Sequence, residues 1–343
     1  MLRTMYNASG NNSLRANLTV YPTRPEVWDT SDTCTASCWM WRTVPVVLFL
    51  AGMLGNTLTI IVVIRLGLRR QPTLMFLFFL AITDSVVLIT GLPRYWIDYV
   101  FDVNIRLSGN VGCKLYYFII YASMQYSSWI LVSVTIERVF KTYFPFRYRR
   151  LFTTKRAIVG LLTLLFVLCL VNGHFFFTNG INEYTNGTCD SLTPEFSYFD
   201  EYVFVYIDLS ILSIVPFIIM VICNILLIKV LRDIQIQRHS MMHARFADRA
   251  NHFSVRMTKM LVVCTIYFLA GTLPISIYFV VDSYLLPKYE AADDVTALEN
   301  MDVAWTVTYL FSYSNYCVNF YLYTAMNNRF YQELKTFVLC LPR

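Results

Sequence analysis

Charge is scarce in this sequence. Asp, Glu, Lys and Arg make up 15 % of its 343 residues, against about 25 % in an ordinary soluble domain, so there is too little polar surface to clothe a soluble globule. Glycine and proline are sparse too, at 12 and 11, which excludes collagen-like and low-complexity chains; a 57 % hydrophobic and 16 % aromatic composition excludes a solvated, disordered one. The four histidines form no metal-spaced cluster, and no Gly-rich stretch could cradle a phosphate, so an enzyme is not expected. There is no repeated half and no series of polar pore positions of the kind a transporter or channel carries. No covalent cofactor and no nucleic-acid partner is expected.

What is there is a series of apolar runs. They lie between Arg42 and Arg65, Arg70 and Arg94 with only Asp84 inside, Lys114 and Glu137, Arg156 and Glu183, Glu201 and Lys229 with only Asp208 inside, Lys259 and Asp282, and Asp302 and Arg329. Each holds 22 to 27 residues, which suits a tilted membrane-crossing helix and is too long for a barrel strand. The fold class is therefore an all-α membrane protein, a seven-helix bundle.

Lys and Arg settle the expected orientation, because their excess stays cytoplasmic. Twenty of the 28 fall after the first, third, fifth and seventh spans, which puts the amino-terminal tail outside and the carboxyl end inside, in the plasma membrane. Sequons at Asn7, Asn11, Asn17 and Asn186 all fall on the outer side, as glycosylation requires. The amino terminus, Met1 to Asn7, has no apolar run, so no cleaved signal peptide is expected and the first span acts as its own insertion signal. Three regions result: an extracellular glycosylated tail over 1–42, the bundle over 43–326, and 327–343. In the last, Phe330, Leu334, Phe337, Val338 and Leu341 recur at helical spacing among Arg329, Gln332, Glu333 and Lys335, predicting a short amphipathic helix along the membrane surface.

Cys113 and Cys189 both lie in oxidising territory, and a bridge between them would staple the second outer loop across the bundle mouth. Cys34 and Cys38 either pair locally or remain free. Cys340 is either a tail residue or a palmitoylation site beside the membrane.

Particular residues in most spans carry a family likeness. Gly55-Asn56-Thr57, Leu80-Ala81-Ile82-Thr83-Asp84, Cys113 with Cys189, Glu137-Arg138-Val139, Pro216, Pro274, and Asn319-Phe320-Tyr321-Leu322-Tyr323 occur in this order at the appropriate depths. Together they resemble the rhodopsin-like (class A) G-protein-coupled receptors over roughly residues 43 to 340. Within that family, Gly91 to Trp96 and Gln125 to Trp129 look like invertebrate-type neuropeptide receptors.

The resemblance implies a heterotrimeric G protein as inner partner, with Glu137, Arg138, Asn319 and Tyr323 in coupling and activation. It also implies the Cys113–Cys189 disulfide and the surface helix as the family's eighth. The short tail after it leaves little room for arrestin recruitment. A buried carboxylate is costly in a bilayer, so Asp84 needs partners. The resemblance makes it an allosteric sodium site with Ser127, Asn315 and Asn319, whose oxygens suit a hard cation; a neutral Asp84 hydrogen-bonded within the bundle is the alternative. Departures are plain as well: Thr272 stands where the family has its helix-six tryptophan, Phe320 replaces the helix-seven proline, and Asn224 replaces a frequent tyrosine.

Residues 303–328 contain no lysine, which excludes a retinal Schiff base, and Ile120 stands where an amine receptor has an aspartate. By helical position Tyr117, Tyr121, Met124, Thr272, Tyr278, Trp305, Tyr309 and Tyr313 either face a ligand cavity or pack between helices. Asp208 and Asp282 are candidates to meet a ligand cation, and Arg94 a ligand anion. The outer side carries 17 acids against 8 Lys and Arg, a field that concentrates cations. The expected ligand is therefore a short basic or amidated neuropeptide, with a lipid or small apolar ligand, or constitutive activity without ligand, as alternatives.

Overall fold

The computed structural model describes residues 34–68, 71–182, 187–240 and 247–339. The sequons at Asn7, Asn11, Asn17 and Asn186, and Cys340 and Leu341, lie outside the described residues.

Seven long helices are present: α1 (Ala36–Gly67), α2 (Pro72–Phe101), α3 (Asn110–Tyr143), α4 (Thr154–Asn172), α5, α6 (Ala247–Ala292) and α7 (Val295–Met326). A short surface helix, α8 (Asn328–Val338), follows. α5 is built in pieces: Pro194–Phe199 and Val205–Leu209 are α-helical, Asp200–Phe204 and Ser210–Ile214 are π turns, and Val215–Ser240 is α-helical again. Six of these helices are long and apolar enough to cross a membrane. α7 is long enough too, at 32 residues, but its Ser312, Ser314, Asn315, Asn319 and five tyrosines make it more polar. It packs between α1 and α6 and closes the bundle.

Local chemistry sets the ends. The Thr35 hydroxyl accepts from the backbone N–H of Cys38 and starts α1, Pro72 occupies the first turn of α2, and the Thr153 hydroxyl caps α4. Asn327 accepts from the backbone N–H groups of Arg329 and Phe330, turning the chain from α7 into α8. α1 begins at Ala36, ahead of the expected position 43, because a Cys34–Cys38 disulfide ties its first turn and Trp41 is fully buried against Tyr95, Tyr99 and Trp305. α6 likewise runs on to Ala292, so Asp282 lies inside the helix rather than capping it.

One core cluster gathers Val62, Leu80, Tyr126, Met260 and Tyr323 toward the Arg138 end; a second gathers Trp41, Leu88, Leu92, Trp305 and Tyr313 toward the other. There Gly91 lets α2 and α7 meet: a Cβ at Gly91 would collide with the Tyr313 ring. Outward, Val47, Leu50, Leu54, Val159, Phe166, Leu170, Ile218 and Ile222 are exposed, an apolar belt of the kind lipid covers. At the Trp305 end an antiparallel hairpin, β1 (Asn179–Asn182) and β2 (Thr188–Ser191), pairs Ile181 with Cys189. The Cys113–Cys189 disulfide fastens it to the first turn of α3.

Candidate functional site

A cavity of about 120 Å³ lies among α2, α3, α5, α6 and α7 at the hairpin end. Of the residues expected there, Arg94, Tyr117, Tyr121, Met124, Asp208, Thr272, Trp305 and Tyr309 line it. Three others do not. Tyr278 donates to Asp282 one turn away at 2.9 Å, so these two satisfy each other along α6. Tyr313 is fully buried against Gly91, with its ring set at an angle between those of Tyr309 and Tyr316.

The cavity walls differ in charge. On the α5 side Asp208 Oδ1 accepts from Gln125 Nε2 at 2.8 Å, and Gln125 Oε1 accepts from Asn172 Nδ2 at 2.7 Å, so α3 and α4 together hold the carboxylate. Its position on α5 owes to the π turns, each of which adds one residue to a helical turn. On the α2 side the Arg94 guanidinium donates to the Tyr116 hydroxyl at 3.0 Å and lies over the rings of Tyr95 and Tyr116, at 4.3 and 5.1 Å.

Arg106 completes this wall and had no counterpart among the expected ligand residues. It lies on a single 3₁₀ turn between α2 and α3, where its Nε donates to Asn104 Oδ1 at 3.2 Å and its Nη1 to the Tyr117 hydroxyl at 3.1 Å. Tyr117 in turn donates to the carbonyl of Cys189 at 3.4 Å, beside the disulfide. Outside the bundle, burial pushes the Asp190 carboxyl up from its ordinary range, against the pull of the Ser191 N–H and of Arg106.

Deeper in the bundle, Asp84 is fully buried, and its oxygens accept from Ser127 Oγ at 2.6 Å and Asn319 Nδ2 at 2.8 Å. Asn319 thus meets the carboxylate as a donor, not as an oxygen ligand. Asn315 turns its amide toward Gly271, and both of its polar side-chain atoms are buried without a partner. Asn56, at similar depth, donates instead to the carbonyl of Tyr316.

At the opposite end Glu137 and Arg138 are both buried. Arg138 Nε lies 3.3 Å from Glu137 Oε2, and its Nη2 donates to Thr73 Oγ1 at 3.1 Å. Glu137 Oε1 accepts from Thr73 at 3.0 Å and from Tyr148 at 2.5 Å. Burial and the Glu137 carboxylate push the Tyr148 phenol up, so it remains a donor. The lock therefore spans α2, α3 and the helical turn Pro145–Leu151. Tyr323 is buried against Phe330 of α8, and Phe320 closes on Gly55 of α1 without the kink of a proline.

Residues 55–323 match the family described as "7 transmembrane receptor (rhodopsin family)". The G-protein coupled receptor E1 of Equine herpesvirus 2 (strain 86/87) is 26 % identical over 312 residues, covering 90 % of this chain and 76 % of its own. Human C-C chemokine receptor type 1 is 23 % identical, covering 84 % and 76 %. Rattus norvegicus neuromedin-U receptor 2 is 26 % identical, covering 86 % and 75 %. These relatives are viral and mammalian, so the narrower likeness to invertebrate-type neuropeptide receptors is corrected to the broader family.

Proposed function

The chain belongs to the rhodopsin family of seven-transmembrane receptors, and we propose that it binds a short extracellular peptide at the hairpin end and activates a heterotrimeric G protein at the Arg138 end. As a member of that family it is a multi-pass signalling receptor and not an enzyme. The family supports the plasma membrane as its setting, and the Lys and Arg distribution supports an amino terminus outside. Relatives named for chemokines and neuromedin U support a peptide ligand.

The observation that carries the reading is the cavity itself, which sets Asp208 across from Arg94 and Arg106. About 300–1,000 Å³ holds a drug-sized ligand, so 120 Å³ admits one end of a peptide and leaves the rest at the rim. A basic group of the peptide pairs with Asp208, and the acidic outer side concentrates it there. Amidation at the α2 wall finds no support in its two cations. Binding at this end separates Arg138 from Glu137 and frees the guanidinium for the inner partner.

Cells carrying the receptor and exposed to basic peptides are expected to respond in calcium or cyclic-nucleotide readouts, with potency lowered at least about tenfold by Asp208→Asn. Activation by lipids and by no peptide, or a peptide response indifferent to Asp208→Asn, would sink the proposal.

The oxygens of the Asp84 carboxylate and the Ser127 hydroxyl suit a sodium ion, and Asn315, whose buried oxygen has no partner but whose amide faces Gly271, would turn to join them. Asp84, Ser127 and Asn315 would hold the ion, with Asn319 orienting the carboxylate, and its charge would offset that of Asp84 in the closed state. Sodium is then expected to weaken agonist binding in the native receptor and to have no effect in Asp84→Asn, as measured by agonist displacement at fixed ionic strength.

A further inference from the structure

Two arginines are buried at one wall of the cavity, and neither has an acid within ion-pair distance among the described residues. Arg94 is 7 % and Arg106 3 % exposed. Neither makes an ion pair among the described residues, and Arg94 Nε and Arg106 Nη2 have no hydrogen-bond acceptor. Both line the cavity, and each acts electrostatically on the adjacent phenols of Tyr116 and Tyr117, whose rings lie 5.7 Å apart. Their hydroxyls take one N–H from each guanidinium, which fixes the two forks without neutralising either.

A buried cation needs a counter-charge or it costs stability, and two side by side repel. Two protein carboxylates bear on this wall, and both serve other partners: Asp208 is held by Gln125 across the cavity, and Asp190, on which Arg106 acts without an ion pair, accepts from the Ser191 N–H. The group that fits is planar, anionic and able to take N–H donors on both its oxygens.

We propose that Arg94 and Arg106 form a seat for a carboxylate of the ligand, so that the peptide enters the cavity as a free acid, at its chain end or through an acidic side chain, and not as an amide. The proposal rests on reading this cavity as the peptide site. A fatty-acid carboxylate shares the chemistry, and the test separates the two sources. The aromatic walls of Tyr95, Tyr116 and Trp305 supply the apolar surround in which such a pairing is strongest.

The test uses the full-length receptor in nanodiscs, with saturation-transfer NMR titrations and empty nanodiscs subtracted. The probes are N-acetyl-L-leucine and N-acetyl-L-phenylalanine, each as free acid and as amide, together with decanoate and methyl decanoate. The acetyl amino acids are expected to bind about tenfold more tightly as acids than as amides, the share of one charge-assisted hydrogen-bonded pair. Arg94→Gln and Arg106→Gln are each expected to shrink that preference. Arg94→Lys and Arg106→Lys, which keep the charge but lose the planar fork, are expected to retain part of it and to show that the fold survives.

Equal binding of acid and amide, no binding of any acid, or a preference that survives both glutamine variants would overturn the seat. The two readings fail separately. If decanoate is preferred over its ester while neither form of the acetyl amino acids binds, the seat stands and the peptide falls. If the acetyl amino acids bind alike as acid and amide, the peptide stands and the seat falls.

Discussion

The two ends of this bundle treat buried charge in opposite ways. At the Arg138 end the two buried charges pair with each other: Arg138 meets Glu137 and Thr73, and Glu137 also meets Tyr148. At the hairpin end the hydrogen bonds and ring contacts of Arg94 and Arg106 go to phenols, ring faces and an amide oxygen, and neither makes an ion pair among the described residues. The inner set is ion-paired and must be parted to act; the outer set has no ion pair among the described residues and is open to be filled. A receptor can use both, because a ligand that fills the outer end parts the inner pair by as much as it favours the open state over the closed one.

The largest expected effect lies at the inner end. Removing one member of a buried pair costs about 3–5 kcal/mol, so Glu137→Gln should destabilise the closed state and raise ligand-free signalling severalfold, whereas Arg138→Ala should abolish G-protein activation. Cyclic-nucleotide and calcium assays at matched surface expression read both. Ligand-free signalling that stays at its native level in Glu137→Gln would mean that the pair is not the lock.

The same kind of substitution at the outer end should behave differently. Arg106→Gln removes a buried charge that makes no ion pair and acts only weakly on Asp190, so the ligand-free receptor is expected to stay within about 1 kcal/mol of native stability or to gain. Thermal unfolding of the two variants side by side sharpens the contrast. A loss at Arg106 as large as that at Glu137 would erase it.

The smallest effect concerns Asp190. Its folded carboxyl titrates above its ordinary range, so the fold prefers the neutral form. That stability is fully present below the unfolded value and is lost as pH rises through the folded one. Asp190→Asn should therefore raise the melting temperature slightly at neutral pH, by no more than about 0.5 kcal/mol in free energy, and leave it unchanged in acid. A gain that is the same at both pH values would point to packing instead.

How much of this was legible in the sequence follows from what each residue stands among. Arg94, Asp84 and Asp208 were readable because each is an isolated charge in or at the edge of an apolar run. Arg106 was not, since a charge in a short loop reads as solvated and only the 3₁₀ turn and Tyr117 bury it. Tyr278, Asp282 and Tyr313 share the helical spacing of cavity residues, but spacing leaves a helix free to rotate about its axis. The contact of Gly91 with Tyr313 fixes that rotation for α7, and an α6 that continues past Asp282 leaves Tyr278 and Asp282 to each other. The apolar runs located the spans but overestimated the tail, because the Cys34–Cys38 bridge and Trp41 extend α1 outward.

The stretch Val205–Leu209, which carries Asp208, is bounded by a π turn on each side. Each such turn is what an α-helix becomes on accepting one surplus residue, and each residue accounts for about 100° of rotation. Deleting a single residue from Ser210–Ile214 would thus let the helix re-form regular turns while swinging Asp208 about a quarter-turn around its axis, away from Gln125. The bundle would keep its membrane span and lose its acidic wall. α5 is in this sense a dial, on which ligand preference can be reset by chain length alone, without altering the chemistry of any side chain.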